Sequence, residues 1–513
     1  MSLPELIRQR REKLDRWRAL GVEPYAYRYE PTHHIDELLA RGEAVTDQPG
    51  ERVRIAGRLV SLRGHGKAGF AHVLDGTGRL QIYFKADRLG AQFAHYELLD
   101  VGDWIGVEGP LFRTRTGEIT IAAEDLRMLA KSTRPLPEKW HGLRDPETRY
   151  RQRYADLFMN LPVRETFRRR ARLVAALRAH LDAAGFLEVE TPVLQPIYGG
   201  AFARPFTTRH HALDMELYLR ISNELYLKRL IVGGLERVYE FSRDFRNEGM
   251  DRSHNPEFTL LELYQAFADV HDIMERSESL LCHAIASAYG GLTLEYQGEP
   301  LDFSPPWRRL SMLDAVSEAT GESLHDLDPE RLATAARRHG IETRPGAGAG
   351  ALLDALFSEL IQPGLRQPVF VVDFPVETSP LARVSRTNPK VVERFEVFVA
   401  GMEIGNAFSE QNDPDAQARA FEYQMGLRAG GDEEAQVMDQ DYIRALEYGM
   451  PPTGGVGFGV DRLAMIVTDA RSIRDVILFP QLRPEEGRPD GGNEDDEELA
   501  SAADPGPAGA DPR

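Results

Sequence analysis

The stretch VYEFSRDFRNEGMDRSHNPEFTLLELYQAF, residues 238–267, decides the reading of the larger part of this chain. Apolar and polar residues alternate at both ends, while the middle is polar and carries Gly, Asn and Pro. That pattern predicts two antiparallel strands joined by a polar loop. On the first strand Arg246 and Glu248 are two apart and share a face; on the second Phe258, Leu260, Glu262 and Tyr264 alternate onto one face. Surface ion pairs are the plain alternative. A cation, an aromatic platform and acids on faces that can converge suggest instead a nucleotide and an amine-bearing ligand.

Downstream, RFEVFVAGMEIGNAFSEQND (394–413) predicts a hairpin turning at Ala400 and Gly401. Glu396 and Glu403 come near each other across it, a spacing suited to Mg²⁺ held against phosphates. Acids on an exposed hairpin are the competing reading. Asn406, Phe408 and Glu410 share one parity; strict alternation sets Glu403 on the opposite face, and a bulge at Gly405 would undo that. GGVGFGVDR (454–462) lacks the spacing of a dinucleotide fingerprint or a P-loop. Taken alone it reads as a tight packing turn, although Arg462 adds a fixed cation where glycines let a backbone approach a ligand. Upstream, residues 163–184 form a long amphipathic helix closed by Gly185, followed by a strand at 187–192. Mixed strands and helices run on to Leu482, and residues 323–363, helical with a break at PGAGAGA (345–351), read as an inserted lobe.

Residues 52–129 follow a different pattern: short alternating strands between Gly-rich turns. Some 80 residues with about five strands suit a small closed barrel of the oligonucleotide-binding type. Before it, residues 4–20 read as a helix with Leu3, Ile7, Leu14 and Trp17 near one stripe. Its Arg8, Arg10, Arg11, Lys13, Arg16 and Arg18 make either a solvated face or a phosphate-contacting one. After the barrel, the Pro-containing segment 132–154 reads as a linker, with cations and aromatics able to touch RNA or to pack between domains.

At 513 residues the chain has room for two to four domains, and 42% apolar with 28% charged residues fits a globular protein. The net charge of −19, with ten acids and two arginines in residues 485–513, argues against a general nucleic-acid coat. It leaves room for an enzyme that meets RNA along one basic strip. The acidic, Gly/Pro/Ala-rich tail at 485–513 is expected to be disordered. A single cysteine, Cys282, excludes a disulfide framework and a cysteine-based zinc cluster. No apolar run reaches the ~18 residues of a membrane span. The Arg-rich N-terminus carries Glu5, Glu12 and Asp15 and no apolar core of a secretory signal, so a cytoplasmic enzyme is expected.

Three stretches together resemble the signatures of class II aminoacyl-tRNA synthetases: GFLEVETP (185–192), FRNEG with HNPEF (245–249, 254–258) and GVGFGVDR (455–462). Within that class the chain is most similar to the bacterial lysyl-tRNA synthetases, through GKAGF (66–70), RPLPEKWHGLRDPETRYRQRYADL (134–157), YGGAFARPF (198–206), ELYLKRL (224–230), EIGNAFSE (403–410) and RDVILFP (474–480). The likeness runs in order over about residues 4–484. It implies an α+β fold: an antiparallel sheet flanked by helices, with an all-β OB-fold barrel N-terminal to it. The organisation it implies is a helical extension (1–50), an anticodon-binding barrel (51–131), a linker (132–154), a catalytic domain (155–484) and the tail. It further implies a homodimer that uses the helix before Gly185.

The resemblance also implies roles. Arg246 would hold the α-phosphate and the lysine carboxylate, Phe258 and Arg462 would sandwich adenine, and Glu248 would accept from its amino group. His254 and Asn255 would serve the triphosphate, with Glu396 and Glu403 on Mg²⁺. Glu410 and Tyr264, with Glu262 nearby, would meet the ε-ammonium of L-lysine. Glu224 and the Gly200 carbonyl would take its α-ammonium, Asn406 its carboxylate and Phe408 its alkyl stem. In the barrel, Phe70, Gln81 and Glu118 match positions used on the anticodon; a barrel-core Phe70 is the alternative. The implied activity joins lysine to tRNA-Lys with ATP. The alternatives are lysylation of a protein such as elongation factor P, by paralogues that lack the barrel, or a catalytically silent RNA-binding paralogue, which would have replaced Arg246, Glu396, Glu403 or Arg462. One departure stands out: Ser222 and Asn223 occupy the place where relatives often have Ala-Pro.

Overall fold

The computed structural model describes residues 2–137, 143–344, 346–430 and 435–484. The chain divides into two compact units, one from Met1 to Arg144 and one from Asp145 to Leu482. The acidic tail, residues 138–142 of the expected linker and Pro345 of the expected break lie outside the described residues.

The first unit is a closed barrel. Its strands are β1 (Arg52–His65), β2 (Ala68–Leu74), β3 (Arg79–Lys85), β4 (Trp104–Arg113), β5 (Ile119–Ala122) and β6 (Asp125–Ala130). The ring runs β1-β2-β3-β5-β4 and closes from β4 back to β1, with β6 beside β4. Period-two alternation places Ala71, Val73, Leu80, Ile82 and Phe84 inside. The N-terminal segment is no separate appendage. Helix α1 (Leu3–Ala19), started by a Ser2–Glu5 capping box, buries Ile7, Leu14 and Trp17, and Trp17, Ile35 and Leu38 join the barrel core. Burying the Trp17 ring contributes roughly 2–3 kcal/mol of apolar transfer, offset in part by its indole N–H, which is buried with no partner among the described residues. Arg10, expected among the helix's surface cations, is buried: its guanidinium donates to the carbonyls of Val101 (2.9 Å), Ser132 and Arg134. Lys13 pairs with Asp100 at 2.7 Å, and Arg8, Arg11, Arg16 and Arg18 stay exposed.

The second unit begins earlier than the expected 155. Short helices at Pro146–Arg151 and Arg153–Met159 already belong to it, because Arg153 is buried and donates to the carbonyls of Arg474 (2.9 Å), Ile477 and Leu478 (3.0 Å). Helix α2 (Leu161–Ala183) follows and ends at Gly185, whose φ of +79° suits glycine. The central sheet has eight strands: β7 (Leu187–Glu188), β8 (Arg237–Phe245), β9 (Glu257–Ala266), β10 (Arg308–Ser311), β11 (Val369–Val372), β12 (Arg394–Val399), β13 (Met402–Ser409) and β14 (Thr453–Gly459). Their spatial order is β10-β11-β12-β13-β14-β9-β8-β7, antiparallel except at the β10–β11 and β8–β7 pairs. β7 is shorter than the expected 187–192 because Thr191 turns away to give its hydroxyl to Glu240 at 2.7 Å.

Alternation splits the sheet into a dry and a wet face. Leu261, Leu263, Phe395, Val397, Val456 and Phe458 pack against α2, α4 (Val270–Tyr289) and α5 (Val460–Thr468). Their neighbours Glu262, Tyr264, Glu396, Gly455 and Gly457 face a cleft on the other side. Residues 454–459 are therefore strand rather than the packing turn expected, and the strand runs straight into α5. The inserted lobe consists of helices Pro329–Arg338 and Ala349–Leu360 with a small core around Leu332, Leu353, Leu356 and Phe357.

Candidate active site and nucleic-acid face

The cleft over the wet face has a volume of about 410 Å³. Fifteen residues singled out in this unit line it: Gly200, Glu224, Arg246, Glu248, His254, Asn255, Phe258, Glu262, Tyr264, Glu396, Glu403, Asn406, Phe408, Glu410 and Arg462. They arrive from β9, β12, β13, α3 (Glu224–Val232) and α5, from the loops that carry Gly200 and residues 246–255, and from Glu410 just past β13. β8 stops at Phe245, so Arg246 and Glu248 leave the sheet instead of sharing a strand face, and Glu248 is exposed at the rim. The bulge at Gly405 is present: pairing passes from Val397–Gly405 to Phe398–Glu403 and skips Ile404. That extra residue turns Glu403 into the cleft beside Asn406.

One half of the cleft is cationic and aromatic. The Arg246 guanidinium lies 5.0 Å from the centre of the Phe258 ring, and its Nε is buried without a hydrogen-bond partner among the described residues. Arg462 donates to the Glu403 carbonyl at 2.6 Å and meets His254 Nε2 at 3.1 Å, while His254 Nδ1 contacts Asp251 at 2.8 Å. Against partial burial, the Ser253 backbone N–H and His254 hold the Asp251 carboxyl down at about 2. Asn255 is buried and donates to the Glu257 carbonyl. Asp461, beside Arg462, accepts from the Thr259 backbone at 2.7 Å and pairs with Arg170 of α2 at 2.6 Å, fixing the start of α5.

Glu396 and Glu403 sit between the two halves. Burial, Glu403 and Asp354 push the Glu396 carboxyl up to about 8, with Arg394 opposing. Arg394, which pattern reading overlooked, bonds Glu396 at 2.5 Å and donates to Asn406 at 3.1 Å. Two carboxylates facing each other across the hairpin fit a divalent ion chemically, although each already meets an arginine, Glu396 with Arg394 and Glu403 with Arg462 at 3.5 Å.

The other half is acidic and closed. Glu224, Glu262, Tyr264 and Glu410 are all less than a tenth exposed. Burial raises Glu262 and Glu410 each to about 8; Glu224 and Asp244 add to the first, and Lys228 opposes in the second. Tyr264 donates to Glu262 at 2.9 Å, and Ser222 donates to the other oxygen at 3.2 Å. So the departure at residue 222 does line this pocket. Lys228, fully buried on α3, pairs with both Glu224 and Glu410. Sequence reading passed over it, although Glu224 and Lys228 at i and i+4 in ELYLKRL were a legible helical pair. Gly455 is indispensable underneath: a Cβ there would lie 2.4 Å from the Tyr264 ring and 2.5 Å from Glu410. At Gly200, φ is +85° and a Cβ would meet Ser222 Oγ at 2.9 Å.

On the barrel, Phe70, Gln81 and Glu118 share one outward face. Phe70 is 41% exposed, which excludes the barrel-core alternative. Its ring lies 4.8 Å from Tyr83, and Tyr83 lies 6.5 Å from Phe112, so three aromatics line up where one was expected. Gln81 donates to Glu118 at 2.6 Å.

Comparison with known proteins agrees with this geometry. The family described as tRNA synthetases class II (D, K and N) matches residues 145–483, and the OB-fold nucleic acid binding domain matches residues 53–129. The lysine–tRNA ligase of Carboxydothermus hydrogenoformans is 53% identical over 94% of this chain and 99% of its own length. Those of Pelotomaculum thermopropionicum (53%; 94% and 96%) and Syntrophomonas wolfei (51%; 94% and 98%) are similar over the same extent.

Proposed function

The chain belongs to the class II tRNA synthetases, in their lysine–tRNA ligase branch, and from that premise we propose how its own residues divide the work. The reaction joins L-lysine to tRNA with ATP. The family description covers aspartate, lysine and asparagine enzymes, and the pocket's charge separates them. Three buried acids around one lysine suit a substrate carrying two ammonium groups and would repel aspartate. That acidic end is the observation that carries the reading.

In the first step a lysine carboxylate oxygen forms a bond to the α-phosphorus, the bond from that phosphorus to the bridging oxygen breaks, and pyrophosphate leaves. The carboxylate is already a nucleophile, so no general base is needed. What the step needs is neutralised charge and in-line placement. Arg246 serves the α-phosphate and the lysine carboxylate, the latter with Asn406. Phe258 and Arg462 enclose adenine, Glu248 accepts from its amino group, and His254 and Asn255 meet the triphosphate. Glu410, Tyr264 and Glu262 take the ε-ammonium, Glu224 and the Gly200 carbonyl the α-ammonium, and Phe408 the stem. Glu396 and Glu403 would hold Mg²⁺, which supplies positive charge against the phosphates. In the second step the 3'-terminal adenosine hydroxyl of tRNA attacks the acyl carbon and AMP leaves.

The barrel face, with Phe70, Gln81 and Glu118, reads the anticodon; it supports tRNA rather than a protein as acceptor. A homodimer and a cytoplasmic location complete the reading. Leu187, Val193, Leu194 and Ile197, between 39% and 52% exposed after α2, support a covered interface. Among the described residues no helix is long and apolar enough to cross a membrane. The test is ATP–pyrophosphate exchange run with each of the twenty amino acids, followed by transfer to tRNA. Exchange with lysine alone is expected; exchange with another amino acid would overturn the specificity, and none at all would overturn the enzyme.

A further inference from the structure

The polar residues of the barrel face are not independent. Ser61 on β1, His72 on β2, Gln81 on β3 and Thr120 on β5 are register neighbours: Ser61 pairs with His72, His72 with Gln81, and Gln81 with Thr120. Their side chains form one chain of bonds ending on Glu118. Ser61 Oγ meets His72 Nδ1 at 2.8 Å, and His72 Nε2 meets Glu118 Oε1 at 2.8 Å. Gln81 Nε2 donates to Glu118 Oε2 at 2.6 Å, and Thr120 Oγ donates to Gln81 Oε1 at 2.8 Å. A carboxylate only accepts, so the hydrogen between His72 and Glu118 sits on Nε2. Each Glu118 oxygen thus has one donor from within the barrel. His72 is the better sheltered of the pair: its side chain is 21% exposed against 43% for Glu118.

We infer that His72 is a positioning residue for nucleobase reading: it fixes the Glu118 carboxylate in the orientation in which Glu118 and Gln81 together meet a base edge. The inference rests on the reading of this face proposed above. Glu118 stands on the turn before β5, and a free Glu side chain there loses rotamer freedom when RNA binds. Two donors from the barrel order it beforehand. They leave one Gln81 N–H and further carboxylate lone pairs unused by the network, a donor beside acceptors, which the edge of an unstacked base complements. Phe70 shares the outward side of β2 with His72, two residues away, so a base stacked on it lies over the same patch.

The experiment is a double-mutant cycle on aminoacylation of tRNA-Lys, with lysine-dependent ATP–pyrophosphate exchange as the control for the other unit. His72→Leu is expected to raise the KM for tRNA about tenfold, the scale of one lost base contact, with kcat within twofold. His72→Gln, which keeps a donor toward Glu118, should recover most of that loss. In a Glu118→Ala background, His72→Leu should add nothing. Additive losses, or a His72→Gln variant as poor as His72→Leu, would overturn the positioning role alone. If Glu118→Ala and Gln81→Ala both left the KM for tRNA unchanged, the reading of the face would fall, and this inference with it. The glutamine variant and the cycle keep the test decisive even if His72→Leu impairs barrel folding.

Discussion

The acidic end of the cleft and the outer face of the barrel hold the same chemical groups, carboxylates beside aromatic rings, at opposite burial. Glu262 and Glu410 are 5% and 2% exposed, whereas the Glu118 side chain is 43% exposed. Burial makes the cleft acids expensive to leave unpaired, so their geometry comes with a built-in cation, Lys228, and their protons become labile. On the barrel, solvent screens the charge and neighbouring hydrogen bonds do the orienting. On the proposed reading, the first arrangement would select by desolvation, worth several kcal/mol. The second would select by contacts worth about 1–3 kcal/mol each.

That contrast is most directly broken at Glu410. Glu410→Gln removes the buried charge proposed to meet the ε-ammonium, at an expected cost of about 3–5 kcal/mol. Lysine-dependent exchange should fall by roughly three orders of magnitude in kcat/KM, with the KM for ATP within threefold. Equal loss of lysine and ATP affinity would mean the acid is structural. Next in size is Lys228→Met, which strands Glu224 and Glu410 without their counter-ion. Thermal unfolding should show the catalytic unit destabilised by about 3 kcal/mol while the barrel is untouched. The deficit should shrink between pH 8 and pH 6, because a protonated Glu410 needs no cation. A deficit independent of pH would argue against ionised partners.

The labile protons yield a third test. Burial holds Glu262 and Glu410 near 8, so in the empty pocket they carry protons below that pH and lose them above it. The lysine ammonium competes with those protons. Its KM should therefore drop as pH rises from about 6.5 to 8, approaching tenfold per unit for one proton displaced. Calorimetry in buffers of different ionisation enthalpy should detect proton release on lysine binding; proton uptake would reverse the assignment. The KM for tRNA should change far less over the same range.

Legibility in the sequence follows the same divide. Strands β8, β9, β12 and β13 were readable from alternation, and so were the cleft residues on β9, β12 and β13, because a period-two pattern says which side chains share a face; Arg246 and Glu248 were not, because β8 ends before them. The bulge at Gly405 could be framed but not decided, since pairing register depends on the partner strand. Residues 454–459 were misread because glycine is both a turn former and the only residue that fits beneath Tyr264 and Glu410. Arg10 was read with its helix's cations as part of a solvated or phosphate-contacting face, and Lys228 and Arg394 drew no reading at all. What distinguishes them is burial against carbonyls or acids brought in from elsewhere in the chain, which no local pattern encodes. Tyr83, Phe112 and His72 were missed for a related reason: their neighbours lie across strands.

The smallest effects belong to the barrel aromatics, and there the comparison can be graded. Phe70 offers the most open ring, 41% exposed, and stacking a base on such a ring is worth about 1–3 kcal/mol. Phe70→Ala should raise the KM for tRNA about tenfold, leave lysine-dependent exchange unchanged, and act alike on variants of the base it stacks, because every base has a π-face. Tyr83 lies against Phe70 at 31° and supports that ring, so Tyr83→Leu should cost less. Phe112 meets Tyr83 edge-on at 63° and 6.5 Å, one step further from the open ring, and Phe112→Leu should cost least, about twofold. A gradient in that order means the barrel binds by stacking outward from Phe70. A larger loss at Phe112 than at Phe70 would move the RNA to the β4 side of the face, and Gln81 and Glu118 would then no longer be the residues that meet the base.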